Sequence, residues 1–547
     1  MKRIVLSLAA LLVCGTLFAQ EDSKNAVVSV ENDYNPTIVN VKKKNFTPTV
    51  EGKSNEKPAE LIFSTQATPY MGFISERNTK EVLPAQEDAL PGYLRVGYGI
   101  KNEVDAKLAY NLNFNDKGFL RFLGAFDGFK CNVNGDYGKW NSRIFNSAAG
   151  LDFGYKFNKL IFDINGNFNN RVLNYQRIPN IGGLSNRQHH MNYDIQMSGV
   201  SQLAGPFAYA FNAGYTNSMM SYTDGIICPI REHHINAGGM LAYEIYTKFM
   251  RRAGIDIDFN GFLYNSTLQR NTNRYRNYLS MDMNPFADFN FNNWLFTFGV
   301  NLNIRTGNGP VFAIAPHVTV DKVLTKRISF YGKFTGGRKD NCFRTIESIT
   351  PYWGYTNRQI KPTYKVIDAV AGTRMTFEPL YFDVFAGYVL TENDLLQTAA
   401  YSGEHTNLIY TNFEQGVTNN LFVGSKIGYD YGGWINIEGD ARYDYWTCKN
   451  RNMLMMRPEV TANARVEVRP IKNLTVKLGY NFTHYSKGET GLRISDKHDL
   501  YLRASYTINR YIGAFIQGSN LLNDKYYDYA GYYTKGISGM IGATFNL

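Results

Sequence analysis

Apolar and polar side chains alternate residue by residue over long stretches of this sequence. Between residues 434 and 445, Ile435, Ile437, Gly439, Ala441, Tyr443 and Tyr445 alternate with Asn436, Glu438, Asp440, Arg442 and Asp444. The same rhythm runs through 456–469, where Val460, Ala462, Ala464, Val466 and Val468 alternate with Glu459, Asn463, Arg465, Glu467 and Arg469. It recurs at 104–114 and 255–263. Successive side chains of a strand point to opposite faces, so each segment has one uncharged and one polar face. At about 10 to 14 residues these segments are roughly twice an average soluble strand, and about 9–11 tilted residues suffice to cross a bilayer. Slipping 434–445 by one residue would turn Glu438, Asp440, Arg442 and Asp444 toward lipid. One Arg or Lys at mid-membrane alone costs about 2–4 kcal/mol. The register is therefore fixed with apolar residues outward and polar residues inward. The expected fold class is all-β: a transmembrane antiparallel β-barrel.

Composition agrees. The 547 residues include 39 Tyr, 36 Phe and 49 Gly, with only 17 Pro and 19% charged residues. Mean hydropathy is −0.32. Beyond the first twenty residues no apolar run reaches the ~18 residues a spanning helix needs. A soluble sandwich, propeller or solenoid would show shorter strands or a repeat of about 20–50 residues, and neither is present. A net charge of +11 is mild for this length and does not argue for nucleic acid.

The N-terminus reads as a secretory signal peptide over 1–19: a positive Met1-Lys2-Arg3, an apolar stretch from Ile4 to Val13, and small or apolar residues before Gln20. Cys14 follows Leu11-Leu12-Val13, a lipobox-like run in which Val13 is bulkier than such a site takes. Residues 20–90 form an extended periplasmic or lumen-lying segment with Pro36, Pro58 and the run Lys42-Lys43-Lys44. The barrel is expected over 91–547.

Ten short punctuated connections mark one side: 115–118, 158–159, 204–206, 248–254, 292–293, 321–326, 378–379, 432–433, 470–473 and 509–510. Eleven connections on the other side, the longest at 171–188, 337–361 and 391–416, make about 22 strands. Both barrel ends then face the periplasm. Pro285 and Pro316 are the weakest points of that count, because Pro interrupts a ladder.

The last forty residues carry a family signature. Asn520-Leu521-Leu522-Asn523-Asp524-Lys525-Tyr526-Tyr527, then Gly531-Tyr532, and the closing Phe545-Asn546-Leu547 resemble the C-terminal strands of TonB-dependent outer-membrane receptors. The resemblance implies a 22-strand barrel in the outer membrane of a Gram-negative envelope, inserted by the barrel-assembly machinery and surrounded by outer-membrane lipid. It also implies a plug domain ahead of the barrel, which the seventy or so residues of 20–90 do not resemble. Ala26-Val27-Val28-Ser29-Val30 is the one run there that could pair with TonB or another envelope protein as an added strand.

No enzyme motif is present, and no cofactor or metal site is expected. Three groups of residues stand out instead. The inward charges Glu438, Asp440, Arg442, Asp444, Arg457, Glu459, Arg465, Glu467 and Arg469 form a lumen ladder that either faces water or docks a filling segment. Cys131, Cys228, Cys342 and Cys448 are expected in separate extracellular loops, where disulfides and free thiols are about equally expected. His190 and His234 are expected inward at the outer rim, about 10 Å apart, too far to share one metal. The functional expectation is transport or binding of a solute at the outer membrane. The alternatives are a plugless structural or assembly partner and, third, a passive pore.

Overall fold

The computed structural model describes residues 90–547, except 116, 179–185, 202–205, 223–229, 246, 248, 267–274, 354–358, 402–407 and 489–493. The signal peptide, the 20–90 segment with its Ala26 to Val30 run, and Cys228 lie outside the described residues.

The first strands are β1 (Gly92–Gly99), β2 (Glu103–Phe114), β3 (Gly118–Gly135), β4 (Gly138–Lys156), β5 (Leu160–Asn174), β6 (Arg187–Ser201), β7 (Phe207–Tyr222) and β8 (Ile230–Glu244). The middle of the wall is β9 (Met250–Ser266), β10 (Tyr278–Phe291), β11 (Trp294–Thr306), β12 (Phe312–Thr325), β13 (Ile328–Lys339), β14 (Thr363–Phe377), β15 (Leu380–Tyr401) and β16 (Ile409–Tyr431). It continues through β17 (Ile435–Cys448), β18 (Pro458–Ile471), β19 (Leu474–Tyr485), β20 (Lys497–Thr507) and β21 (Ile512–Ser519). A small hairpin, β22 (Tyr527–Tyr529) with β23 (Tyr532–Tyr533), precedes the last strand, β24 (Ser538–Asn546). Among the described residues one α-helix, α1 (Phe343–Ile349), lies between β13 and β14.

Each wall strand pairs antiparallel with its sequence neighbour, and β24 pairs with both β21 and β1, closing a 22-stranded barrel. At the seam Gly92 and Leu547 exchange backbone hydrogen bonds at 2.9 and 2.7 Å. Closure leaves no ladder edge facing lipid, the condition a sheet must meet to span a membrane.

The alternation sets the faces as expected. Outward residues such as Ile541, Ile195 and Leu279 are 67%, 61% and 60% exposed. Inward residues such as Asp383, Asp194 and Asp444 are buried. The short turns use residues that tolerate positive φ: Asn292-Asn293 (φ 49 and 63°) and Gly432-Gly433 (φ 57 and 71°) link their strands tightly. Pro285 pairs with Ile255 on β9, but the ladder to β11 skips it between Met283 and Phe286 without a change of register. Pro316 opposes Val300 on β11, and the β12–β13 ladder begins only at His317. Both prolines thus turn their missing donor toward a gap.

Some boundaries differ from expectation. β9 begins at Met250, inside the expected turn 248–254, and β12 runs to Thr325 through the expected turn 321–326. The expected loop 391–416 is mostly strand: β15 and β16 are 22 and 23 residues long and pair from Leu395 with Gln415 to Tyr401 with Ile409. Twenty-three residues extend about 75 Å, so this hairpin stands well above the bilayer. Beyond the membrane no lipid enforces alternation, and a bulge between Thr391 and Asp394 breaks it.

Candidate functional site at the barrel mouth

The segment after β13 turns inward rather than outward. Its helix α1 has Phe343 and Ile346 one turn apart, both buried, with Ile349 packed alongside. Polar tethers hold it to the lumen wall. The backbone N–H of Phe343 donates to both Glu232 carboxylate oxygens at 3.0 Å. Asp340 accepts from Ser280 at 3.0 Å and pairs with Arg305. Glu347 accepts from Arg171 at 3.1 Å and Asn192 at 2.9 Å, with His190 Nδ1 at 3.4 Å. Burial alone would raise the Glu347 carboxyl, but the hydrogen bond and charge of His190, then Arg171 and Asn192, outweigh it and hold it at about 2.

Above these tethers four segments knit together. Tyr175 Oη donates to the Trp353 carbonyl at 2.6 Å, and the Thr411 amide donates to the Tyr352 carbonyl at 2.8 Å. Thr411 Oγ1 donates to the Ala530 carbonyl at 3.2 Å, and Tyr532 Oη to the Ile409 carbonyl at 2.5 Å. Aromatic rings fill the space between: Tyr352 stacks on Tyr532 at 3.6 Å, and Trp140 meets Tyr532 edge-on at 5.7 Å. With Tyr175, Phe343, Ile346, Trp353 and Leu408 these rings form a hydrophobic core across the long-loop end of the barrel. A water-filled cylinder would have no reason to build one; it is a lid.

Beneath the lid lies a cavity of about 580 Å³. Thr216, His234, Asp258 and Asp282 line it from the wall, and Arg344 and Ser348 from α1. Its carboxylates, amides and guanidinium suit a polar, hydrogen-bonding solute rather than a covalent reaction.

The C-terminal signature residues build part of this lid. Asn520 (φ 46°) and Asp524 clasp each other, Asn520 Nδ2 donating to the Asp524 carbonyl and the Asp524 amide to Asn520 Oδ1, both at 2.9 Å. The Leu521 amide donates to the Leu500 carbonyl at 2.8 Å, and the Asn523 amide to the Asn520 carbonyl at 2.9 Å. Leu522 stays exposed, Tyr526 is buried, and Lys525 sits over the Tyr533 ring. Tyr527 and Tyr533 both donate to Asp136 at the tip of the β3–β4 hairpin, and Gly531 takes φ 83° in the turn that presents Tyr532. Phe545 belongs to the seam, opposite Leu94 and Ile512.

The charge ladder lies elsewhere, on the lumen side of β17 to β19. Arg465 reaches Glu438 at 3.4 Å and Asn463 donates to Asp440 at 2.9 Å. Arg442 clamps Asp444 at 2.6 Å, and Glu467 meets Arg469 and Lys477 at 3.0 Å. Glu459 is 3.9 Å from His484. Arg457 turns instead to Asp394 at 2.6 Å, anchoring the tall β15–β16 hairpin. The loop placement of the cysteines needs correction. Among the described cysteines, Cys131 lies within β3, Cys448 ends β17 and Cys342 lies in a loop, and these three are free thiols. Val133 and Trp140 pair across β3 and β4 beside Cys131, so this region is a continued strand packed on the lid. His190 and His234 do face inward, but they serve different partners, Glu347 and Asn260.

Sequence reasoning missed α1 and its tethers. The signal was there: Phe343, Ile346, Ile349, Tyr352 and Trp353 put apolar residues at helical spacing inside an expected polar loop.

No family model matches the chain, and no curated protein matches it. Solved structures do. The siderophore receptor PirA of Acinetobacter baumannii aligns with TM-score 0.66 at 8% identity, covering 84% of this chain and 81% of its own. The fold is that of the siderophore-receptor barrels. The ferric enterobactin receptor PfeA of Pseudomonas aeruginosa aligns with TM-score 0.62 at 10% identity, covering 83% and 80%. The ferric-catecholate import receptor Fiu of E. coli aligns with TM-score 0.60 at 10% identity, covering 84% and 82%. The likeness found in the last forty residues is thus met by the fold of the whole receptor-type barrel. Its apolar outer wall places it in the outer membrane, with the short turns periplasmic and the lid outside.

Proposed function

We propose that this barrel binds a polar solute at its outer mouth and passes it inward. The observation that carries the reading is the lid: a packed aromatic core tied to the wall by Glu347, Asp340 and the Phe343 amide, over a polar cavity. A passive pore has no use for such a closure. A ferric siderophore is the solute class to test first, given the receptors that share the fold. Engagement of TonB or another envelope protein through residues 20–90 would supply the energy to move the lid. The lumen ladder on β17 to β19 is proposed as the wall such a moving segment or solute slides past. The reading is of a transport or binding barrel, not of an enzyme.

The test is conductance across planar bilayers together with calorimetric titration of ferric enterobactin. The full chain is expected to show little steady conductance and to bind the ferric siderophore. A large constant conductance with no binding would sink the reading in favour of a pore. No conductance, no binding and a stoichiometric envelope partner in pull-downs would favour the assembly role.

A further inference from the structure

On the lipid-facing side of β3 to β8, basic residues gather just where the strands leave the apolar belt. Lys130 on β3 and Arg143 on β4 are directly opposed in register, and Asn174 on β5 opposes Arg187 on β6. Asn174 joins the two pairs into one row, donating to the Asn141 carbonyl on β4 at 3.3 Å. The row crosses four strands, about 14 Å at one strand spacing per step. Alternation makes it outward: Phe126 and Phe145, on the same faces as Lys130 and Arg143, stack on each other at 5.9 Å. Val133 and Trp140, on the opposite faces, are buried in the lid core. Lys139 on β4 and Arg231 on β8 are further exposed cations on this face.

Two features give the row meaning. The rings below it, Phe126 and Phe145 two to four residues down their strands and the stacked Phe168 and Tyr193 six residues down theirs, form an aromatic band of the kind that marks the boundary between hydrocarbon and headgroups. The row therefore sits at headgroup level, at the long-loop end. Second, among the described residues the outward positions of β3 to β8 carry no Asp or Glu. Asp136 at the β3–β4 hairpin tip is taken up by Tyr527 and Tyr533. The opposite flank differs, since the exposed residues of β15 and β16 include Glu392 and Glu414. A generally basic rim would not be so one-sided.

We propose that Lys130, Arg143 and Arg187 form a docking surface for a phosphorylated lipid headgroup of the outer leaflet. Guanidinium groups hold phosphate through paired N–H donors, and the rings below accommodate the first part of the acyl chains. The bound lipid would brace the strands whose upper ends carry the lid, namely β4 with Trp140 and β6 with His190.

The test uses the full chain in neutral detergent micelles, titrated with diphosphoryl lipid A, with the fully dephosphorylated lipid and with inorganic phosphate. The diphosphoryl lipid is expected to bind more tightly than the dephosphorylated one. Combining Lys130→Gln, Arg143→Gln and Arg187→Gln is expected to cost about a hundredfold in affinity, each cation near a charged lipid surface being worth about fivefold. Arg143→Gln alone is expected to cost about fivefold. Lys322→Gln with Arg510→Gln, at the short-turn end, is expected to change nothing. Heat-modifiable migration reports that each variant is folded. Equal affinity for the two lipids, unchanged binding in the folded variants, or displacement by millimolar inorganic phosphate would each overturn the proposal.

Discussion

Glu347 is the most constrained residue of the lid, because its carboxylate has three wall partners. A carboxyl held at about 2 instead of 4.5 stabilises the docked state fully above its free value, and that contribution fades as pH falls toward about 2. Lid docking should therefore be insensitive to pH at neutrality and weaken between about 4.5 and 2. Pepsin cleavage within 340–362, followed through that range, should rise in step; cleavage that stays constant across it would count against the prediction. Glu347→Gln should remove this pH dependence. Tyr532→Ala should open the aromatic core at a cost of about 3–5 kcal/mol, the usual range for deleting a large buried ring. That loss should appear as faster proteolysis of the mouth loops, with the barrel's own thermal transition little changed. These residues were only partly readable in advance. Tyr532 stood in the C-terminal signature, while Glu347 looked like any loop carboxylate, since its partners Arg171, His190 and Asn192 are more than 150 positions away.

The strands were legible because lipid enforces their pattern, and the lid was not, because nothing periodic does. The wall of β17, with Ile437, Tyr443 and Tyr445 outward and Asp444 inward, could be assigned from alternation alone. The same logic sets a prediction on β16. Ile427→Arg, on the outward face, should destabilise the barrel by about 2–4 kcal/mol, whereas the inward Lys426→Gln should stay within about 0.5 kcal/mol. Urea unfolding in lipid vesicles would show whether the two differ. Where strands outgrow the bilayer the pattern lapses, so the upper halves of β15 and β16 read as loop in the sequence. α1 is seven residues long, so its apolar spacing covers barely two turns and is easily lost in a polar stretch, and the helix exists through Phe343 and Ile346 packing in the aromatic core. Replacing 341–360 with a flexible Gly-Ser linker should leave the barrel folded and raise single-channel conductance sharply. An unchanged conductance would mean that something else closes the lumen.

For the whole molecule, the count of 22 strands followed from turn punctuation and survived two interior prolines. The even count puts the start of β1 and the end of β24 on one side, and the seam shows the two strands meeting there: Tyr93 opposes Asn546. Until β24 arrives, β1 has a partner on one edge only. Nearly the entire wall must therefore be synthesised while that first edge stays open to mispairing. The last strand to be made is thus the one that protects the first, and loss of even the final few residues should leave a sheet that cannot seal, which would appear as protease-sensitive, unfolded protein.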